Sequence, residues 1–172
     1  TYKLQIERAL KAIETLKKIF SLPKSTIHEE GVILWRGLAE DDILSNMLDP
    51  DNPELKDIFD DKGFSSTSKD SSIALAFGYH YMRASDEHIT ILKIHVPLGT
   101  KVIYIGNSYE YTQEEVILVN GSAFRINNTS IRDPTGSEKE LLYNEGWDPE
   151  GQKNIKIKIY DVDYLGDTNI RA

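Results

Sequence analysis

Gln113-Glu-Glu-Val-Ile-Leu-Val-Asn-Gly-Ser-Ala-Phe-Arg-Ile126 is the stretch from which the rest of the chain can be read. In extended backbone, successive side chains point to opposite faces. Gln113 and Glu115 then share one face, and Val116 and Leu118 the other, so a carboxylate is presented on the back of an apolar, core-facing strand. Asn120-Gly121 between two apolar runs predicts a hairpin joining 114–119 to 122–126. Upstream, Ile89 to Val96 alternates as a strand, Pro97-Leu-Gly99 turns, and Lys101 to Ile105 forms another strand. Gly63-Phe-Ser-Ser-Thr-Ser68 reads as a strand, and Asp70 or Ser71 caps a helix carrying Ile73, Ala74, Ala76, Phe77 and Tyr81. Gly31 to Arg36 is a short apolar strand closed by Gly37. Residues 40–61 read as short helices and loops broken by Pro50 and Pro53. Residues 2–20 form an amphipathic helix, with Leu10, Ile13, Leu16 and Phe20 at helical spacing and Pro23 beyond its end. Downstream, 131–152 is polar and loop-rich, and Ile155 to Val162 alternates as a final, half-exposed strand. One helix, then mixed elements, then mostly strands predicts an α+β fold.

The 172 residues suit one domain, 1–172, and 40% hydrophobic content is enough for a core. Thr1 stands where a start Met would, which predicts a piece of a longer protein. Lys+Arg number 20 and Asp+Glu 28, a net charge of −8 that disfavours nucleic acid and anionic membranes as general partners. The charge is uneven. Residues 1–24 hold six basic and two acidic side chains, while 40–61 hold nine acids against Lys56. That acidic segment is either a solvated face or a surface for a basic partner. With no cysteine, disulfides, thiolate zinc sites and cysteine nucleophiles are excluded. No apolar run reaches the length of a membrane span and no signal peptide is visible. His28, His80, His88 and His95 lack metal-ligand spacing with one another, so no metal is implied.

Three pieces concentrate chemistry: Trp35-Arg36-Gly37, Phe64-Ser65-Ser66-Thr67-Ser68, and Gln113-Glu114-Glu115-Val116-Ile117-Leu118. Singly, each has a plain structural reading: a surface arginine, a polar edge strand, a charge guarding an apolar strand. In this order, with Ile91 to Lys101 between the second and third, they resemble the bacterial toxin mono-ADP-ribosyltransferases of the Arg–Ser–Glu class, including the clostridial Rho-modifying and binary-toxin exoenzymes. The resemblance runs from about Pro23 to Ile126. It implies two packed mixed or antiparallel β-sheets around an NAD cleft, with a helix on the N-terminal side. Relatives usually carry several helices before the first core strand, where this chain has one.

The resemblance also implies roles. Arg36 would bind the NAD diphosphate, for which a permanently charged guanidinium fork is suited. Gly37 would bring backbone close to the nicotinamide amide. Ser66 would orient the catalytic carboxylate, and Thr67 and Ser68 would hold the strands of the cleft. Glu115 would stabilise the oxocarbenium-like ribose as nicotinamide leaves, a process akin to glycoside hydrolysis. Gln113 would position the attacking group of the target. Phe77 is either core or cleft lining. Arg83 is either a phosphate contact or a solvated arginine at a helix end. Tyr109 and Tyr111 are either target contacts or ordinary loop aromatics. There is no Gly-x-Gly-x-x-Gly, so NAD would not be bound in the Rossmann manner.

Gln at position 113 goes, in this family, with asparagine acceptors or guanine bases, and Glu with arginine. With the acidic balance against nucleic acid, the expected partner is a protein modified on an amide side chain, or else on a guanidinium. An acidic chain also departs from the Rho-modifying enzymes, which tend to be basic. Glu138-Lys139-Glu140 imitates the Glu-x-Glu pattern but sits in a polar stretch and reads as a helix start. The family implies secretion and action in the cytoplasm of a host or target cell. The alternatives are an NAD glycohydrolase, with water as acceptor, and a catalytically inactive β-rich binding module.

Overall fold

The computed structural model describes residues 2–20, 26–61, 65–83, 85–105, 115–119 and 121–167. The elements run α1 (Tyr2–Phe20), β1 (Val32–Leu38), α2 (Glu40–Leu44), β2 (Ile58–Asp61), β3 (Ser65–Ser68), α3 (Ser71–Tyr81), β4 (His88–Val96), β5 (Val102–Ile105), β6 (Glu115–Leu118), β7 (Ser122–Arg132), α4 (Gly136–Asn144) and β8 (Lys156–Asp167). The strands form one eight-stranded sheet in the order β2-β7-β8-β4-β1-β3-β6-β5. Every pairing is antiparallel except β4 with β8. The mixed, strand-dominated fold with an N-terminal helix is the one expected. Its two sheets take the form of two lobes of a single sheet. β1 and β4 pair along seven residues, whereas β1 and β3 meet at one pair, Trp35 opposite Ser68.

The core explains why those lobes stay together. Leu34, Leu92, Ile94, Tyr160 and Val162 of the larger lobe share one hydrophobic cluster with Val102, Val116 and Leu118 of the smaller. Phe59 stacks on Phe124 at 5.2 Å, and Phe124 meets Tyr164 edge-on at 5.8 Å. On the opposite face of the larger lobe, Ile89, Ile91 and Ile157 pack with Ala74 and Leu75 of α3, and with Leu142 of α4 and Trp147. A third, small cluster of Ile103 and Ile117 receives Leu16 of α1. Residues 2–15, 17 and 18 of that helix are exposed, Tyr2 and Leu10 among them.

Three expectations give way here. Among the described residues no hairpin joins β6 to β7: β6 pairs with β3 and β5, and β7 with β2 and β8. Gly121 does adopt the left-handed conformation its motif favours (φ 74°), but the chain passes there from one lobe to the other. β8 is interior rather than half-exposed, flanked by β7 and β4. Of its alternating lysines, Lys158 is four-fifths buried and reaches Glu40 at 2.8 Å, while Lys156, 42% exposed, pairs with Asp133 at the surface. Finally, Gly37 does not end β1. It lies inside the strand opposite Ile91, because α3 crosses there too closely for any side chain.

Candidate active site

β1, β3, α3 and β6 enclose a cleft of about 370 Å³ lined by Trp35, Arg36, Gly37, Leu38, Asp42, Ser66, Thr67, Ser68, Ile73, Ala74, Phe77, Tyr81 and Glu115. β3 and β6 run antiparallel, with Ser68 opposite Glu115 and Ser66 opposite Ile117. Ser66 and Glu115 are therefore diagonal neighbours on one face, within reach of each other. The Ser66 hydroxyl donates to Glu115 Oε1 at 2.5 Å. Thr67 points the other way, and its hydroxyl donates to the Val116 carbonyl at 2.6 Å, which ties β3 to β6 directly beneath the carboxylate. The Ser68 hydroxyl accepts from the Asp70 backbone N–H at 3.0 Å and so shapes the turn into α3 rather than linking strands. Asp70 then caps α3, accepting from Ser72 N–H at 2.9 Å.

α3 supplies the facing wall. Ile73, Phe77 and Tyr81 stand four residues apart, so they share a helix face, and all three line the cleft. Phe77 and Tyr81 are 43% and 53% exposed, large apolar surface offered to an opening rather than to a core. The helix is held in place by missing side chains: a Cβ on Gly37 would lie 2.0 Å from the Ala74 carbonyl oxygen, and one on Gly78 would lie 2.7 Å from Ile89 Cγ2. Arg36, three-quarters buried, pairs with Asp61 of β2, which also accepts from the Ser65 hydroxyl at 2.9 Å.

The structure thus brings Arg36, Gly37, Ser66, Thr67, Ser68, Phe77 and Glu115 to one cleft. Arg83 is not among them. α3 ends at Tyr81, the chain turns outward at Met82, and Arg83 pairs with Asp41 at 2.5 Å over a second hollow shared with Glu40 and His88. In that hollow, burial pushes the Glu40 carboxyl up, but hydrogen bonds from Lys158, His88 and Tyr160 outweigh it and hold the group below the ordinary range. Gln113, Tyr109 and Tyr111 lie outside the described residues. Sequence reasoning missed Trp35, Asp42, Ile73 and Tyr81 as cleft residues. The signal for Ile73 and Tyr81 was their spacing with Phe77, opposite the buried Ala74, Leu75 and Gly78. The decoy Glu138-Lys139-Glu140 opens α4 through a capping box with Thr135. A bidentate hydrogen bond from Arg132, opposed by burial and aided by Thr135, pulls the Glu138 carboxyl down to about 2.

Among the described residues, no cluster of three or more His, Asp or Glu could hold a metal ion, and no helix is long and apolar enough to cross a membrane. Residues 2–148 match the family described as ADP-ribosyltransferase exoenzyme. The chain belongs to that family. Solved exoenzyme and toxin structures share its fold. The enzymatic component C2-I of the C2 toxin from Clostridium botulinum matches with a TM-score of 0.59 at 14% identity, over 94% of this chain and 36% of that one. BECa, an ADP-ribosylating toxin of a binary enterotoxin of C. perfringens, solved with NADH, gives 0.58 at 18% identity, over 92% and 36%. Vis toxin, an ADP-ribosyltransferase from Vibrio splendidus, gives 0.56 at 17% identity, over 96% and 60%. This exoenzyme chain thus spans little more than a third of the length of the two clostridial chains. No curated protein sequence matches it significantly.

Proposed function

We propose that the protein transfers ADP-ribose from NAD to a side chain of a target protein, with residues 1–172 acting as a single catalytic domain. The observation that carries this is the convergence of Arg36, Ser66 and Glu115, from three separate stretches of chain, on one cleft with an aromatic wall. The residues suit the dinucleotide. Arg36 offers a guanidinium to the diphosphate, and Trp35, Phe77 and Tyr81 offer flat apolar surface to the rings.

In the reaction, the bond between ribose C1′ and the nicotinamide nitrogen breaks, and nicotinamide leaves with the bonding electron pair. Positive charge grows on C1′ and the ring oxygen. Glu115, fixed by Ser66, lies ready to hydrogen-bond a ribose hydroxyl and stabilise that charge. Preorganised electrostatics of this kind is worth roughly 2.7–4 kcal/mol per group. A side-chain nitrogen of the target attacks C1′ and releases one proton. Gln113 would position that nitrogen, which favours an amide acceptor over a guanidinium. Delivery from a secreting bacterium into the cytoplasm of a host or target cell fits the family.

The test is mass spectrometry of a cell lysate treated with the protein and isotopically labelled NAD. A labelled ADP-ribose adduct on protein, absent with Glu115→Ala, is the expected result, and the adduct names the acceptor. Free ADP-ribose with no adduct would make water the acceptor and the protein a glycohydrolase. No nicotinamide release at all would refute both.

A further inference from the structure

We infer that Asp61 is the positioning residue of Arg36, an inference that rests on the reading of the cleft given above. Arg36 lies between two hollows. One is the cleft; the other, behind it, is lined by Asn46, Phe59, Asp60, Asp61 and Leu92. Asp61 lines the second and not the cleft, so its carboxylate meets Nη1 at the hollow behind. The remaining guanidinium donors have no protein partner among the described residues and are left for an anion in the cleft.

Asp61 is itself fixed. It closes β2 opposite Ser122 of β7, at the far edge of the sheet from β1 in strand order, and it accepts from Ser65 of β3. The edge strand β2 and the neighbouring strands β1 and β3 thus agree on where one guanidinium sits. The carboxylate cancels much of the local positive charge, and Asp42 and Asp60 stand nearby. Recognition of the diphosphate then relies on the direction of the fork's N–H groups rather than on net charge, which makes the orientation of Arg36 the quantity that matters.

NAD titration by calorimetry, with steady-state nicotinamide release, tests this. Asp61→Asn is expected to bind NAD about tenfold more weakly, the loss appearing in KM with kcat little changed. Asp61→Glu, which keeps the charge, recovers most of it. In an Arg36→Lys background, Asp61→Asn adds little further loss, because the two residues act as a unit. A general structural role would instead cost the same in both backgrounds, and that result, or NAD binding by Asp61→Asn as tight as wild type or tighter, overturns the inference. If Asp61→Asn does not fold, Ser65→Ala, which removes the hydroxyl that fixes the carboxylate, answers: severalfold weaker NAD binding, again in KM rather than kcat, is expected, and binding as tight as wild type overturns the inference. Loss of NAD binding in Arg36→Ala alongside intact binding in Asp61→Asn leaves the cleft reading standing and removes only Asp61. A wild type that binds no NAD removes both.

Discussion

Replacing Gly37 by alanine is expected to pry α3 from the sheet. The new Cβ would stand 2.0 Å from the Ala74 carbonyl oxygen, 2.3 Å from the Gly78 nitrogen and 2.8 Å from the Gly78 Cα. All three are backbone atoms, so no rotamer change relieves the clash. Moving from 2.0 Å to ordinary contact at 3.4 Å requires α3 to retreat by about 1.4 Å. That would open its packing of Ala74 and Leu75 on Ile89 and Ile91. Overpacked substitutions typically cost about 1–3 kcal/mol, and backbone against backbone belongs at the top of that range. At about 2–4 °C per kcal/mol for a chain of this size, the melting temperature should fall by about 6–12 °C. Because Ile73, Phe77 and Tyr81 ride on the same helix, NAD binding should weaken as well. Gly136→Ala is the control: it opens α4, has no positive φ, and its Cβ meets nothing within 4 Å, so stability should hold or rise slightly. The assay is thermal unfolding of the three proteins side by side. A Gly37→Ala melting temperature within about 2 °C of wild type would refute the reasoning.

Ser66→Ala removes the hydroxyl that orients Glu115 and should lower kcat about 10- to 100-fold, the worth of a hydrogen bond to a charged group. Because Ser66 is exposed, its melting curve should hardly move; an unchanged kcat in a nicotinamide-release assay would count against the role. Glu140→Ala, in the decoy motif, should leave nicotinamide release at the wild-type rate. Glu138→Gln probes acid stability. The folded carboxyl titrates at about 2 against 4.5 for the unconstrained group, so its stabilisation is complete above pH 4.5 and drains away as pH falls toward 2. Because the pair is partly solvent-screened, Glu138→Gln should lower stability at pH 7 by only about 1 kcal/mol, and the gap to wild type should close between pH 4.5 and 2. Thermal melts across that range would show a constant gap if the pairing were idle.

Local chemistry was readable and pairing was not. The faces of β6 and β3 followed from strict alternation, the α3 cap at Asp70 or Ser71 from a capping residue ahead of an apolar run, and the α4 start from the polar Glu138-Lys139-Glu140 stretch. The Asn120-Gly121 motif misled because a turn signal reports backbone conformation, not which strand lies across the turn. β8 looked half-exposed because its lysines alternate with isoleucines, and nothing local announces that Glu40 and Asp133 will pair with them. Gly37 looked like a strand end because only a tertiary neighbour, α3, reveals that its value lies in what it lacks. Arg36 and Asp61 are 25 residues apart, on strands remote in sheet order, so their pairing carries no short-range signature.

The parallel pairing of β4 with β8 has a consequence for how the protein comes into being. Every candidate catalytic group lies at or before Glu115, yet β4, the strand on which β1 and α3 rest, is completed on its other side only by Ile157, Ile159 and Val162. A ribosome that has synthesised the whole pocket has not yet synthesised its support. Closing such a long loop is slow. A nascent chain halted before residue 155 should therefore remain protease-sensitive and bind no NAD, whereas the full chain resists the protease.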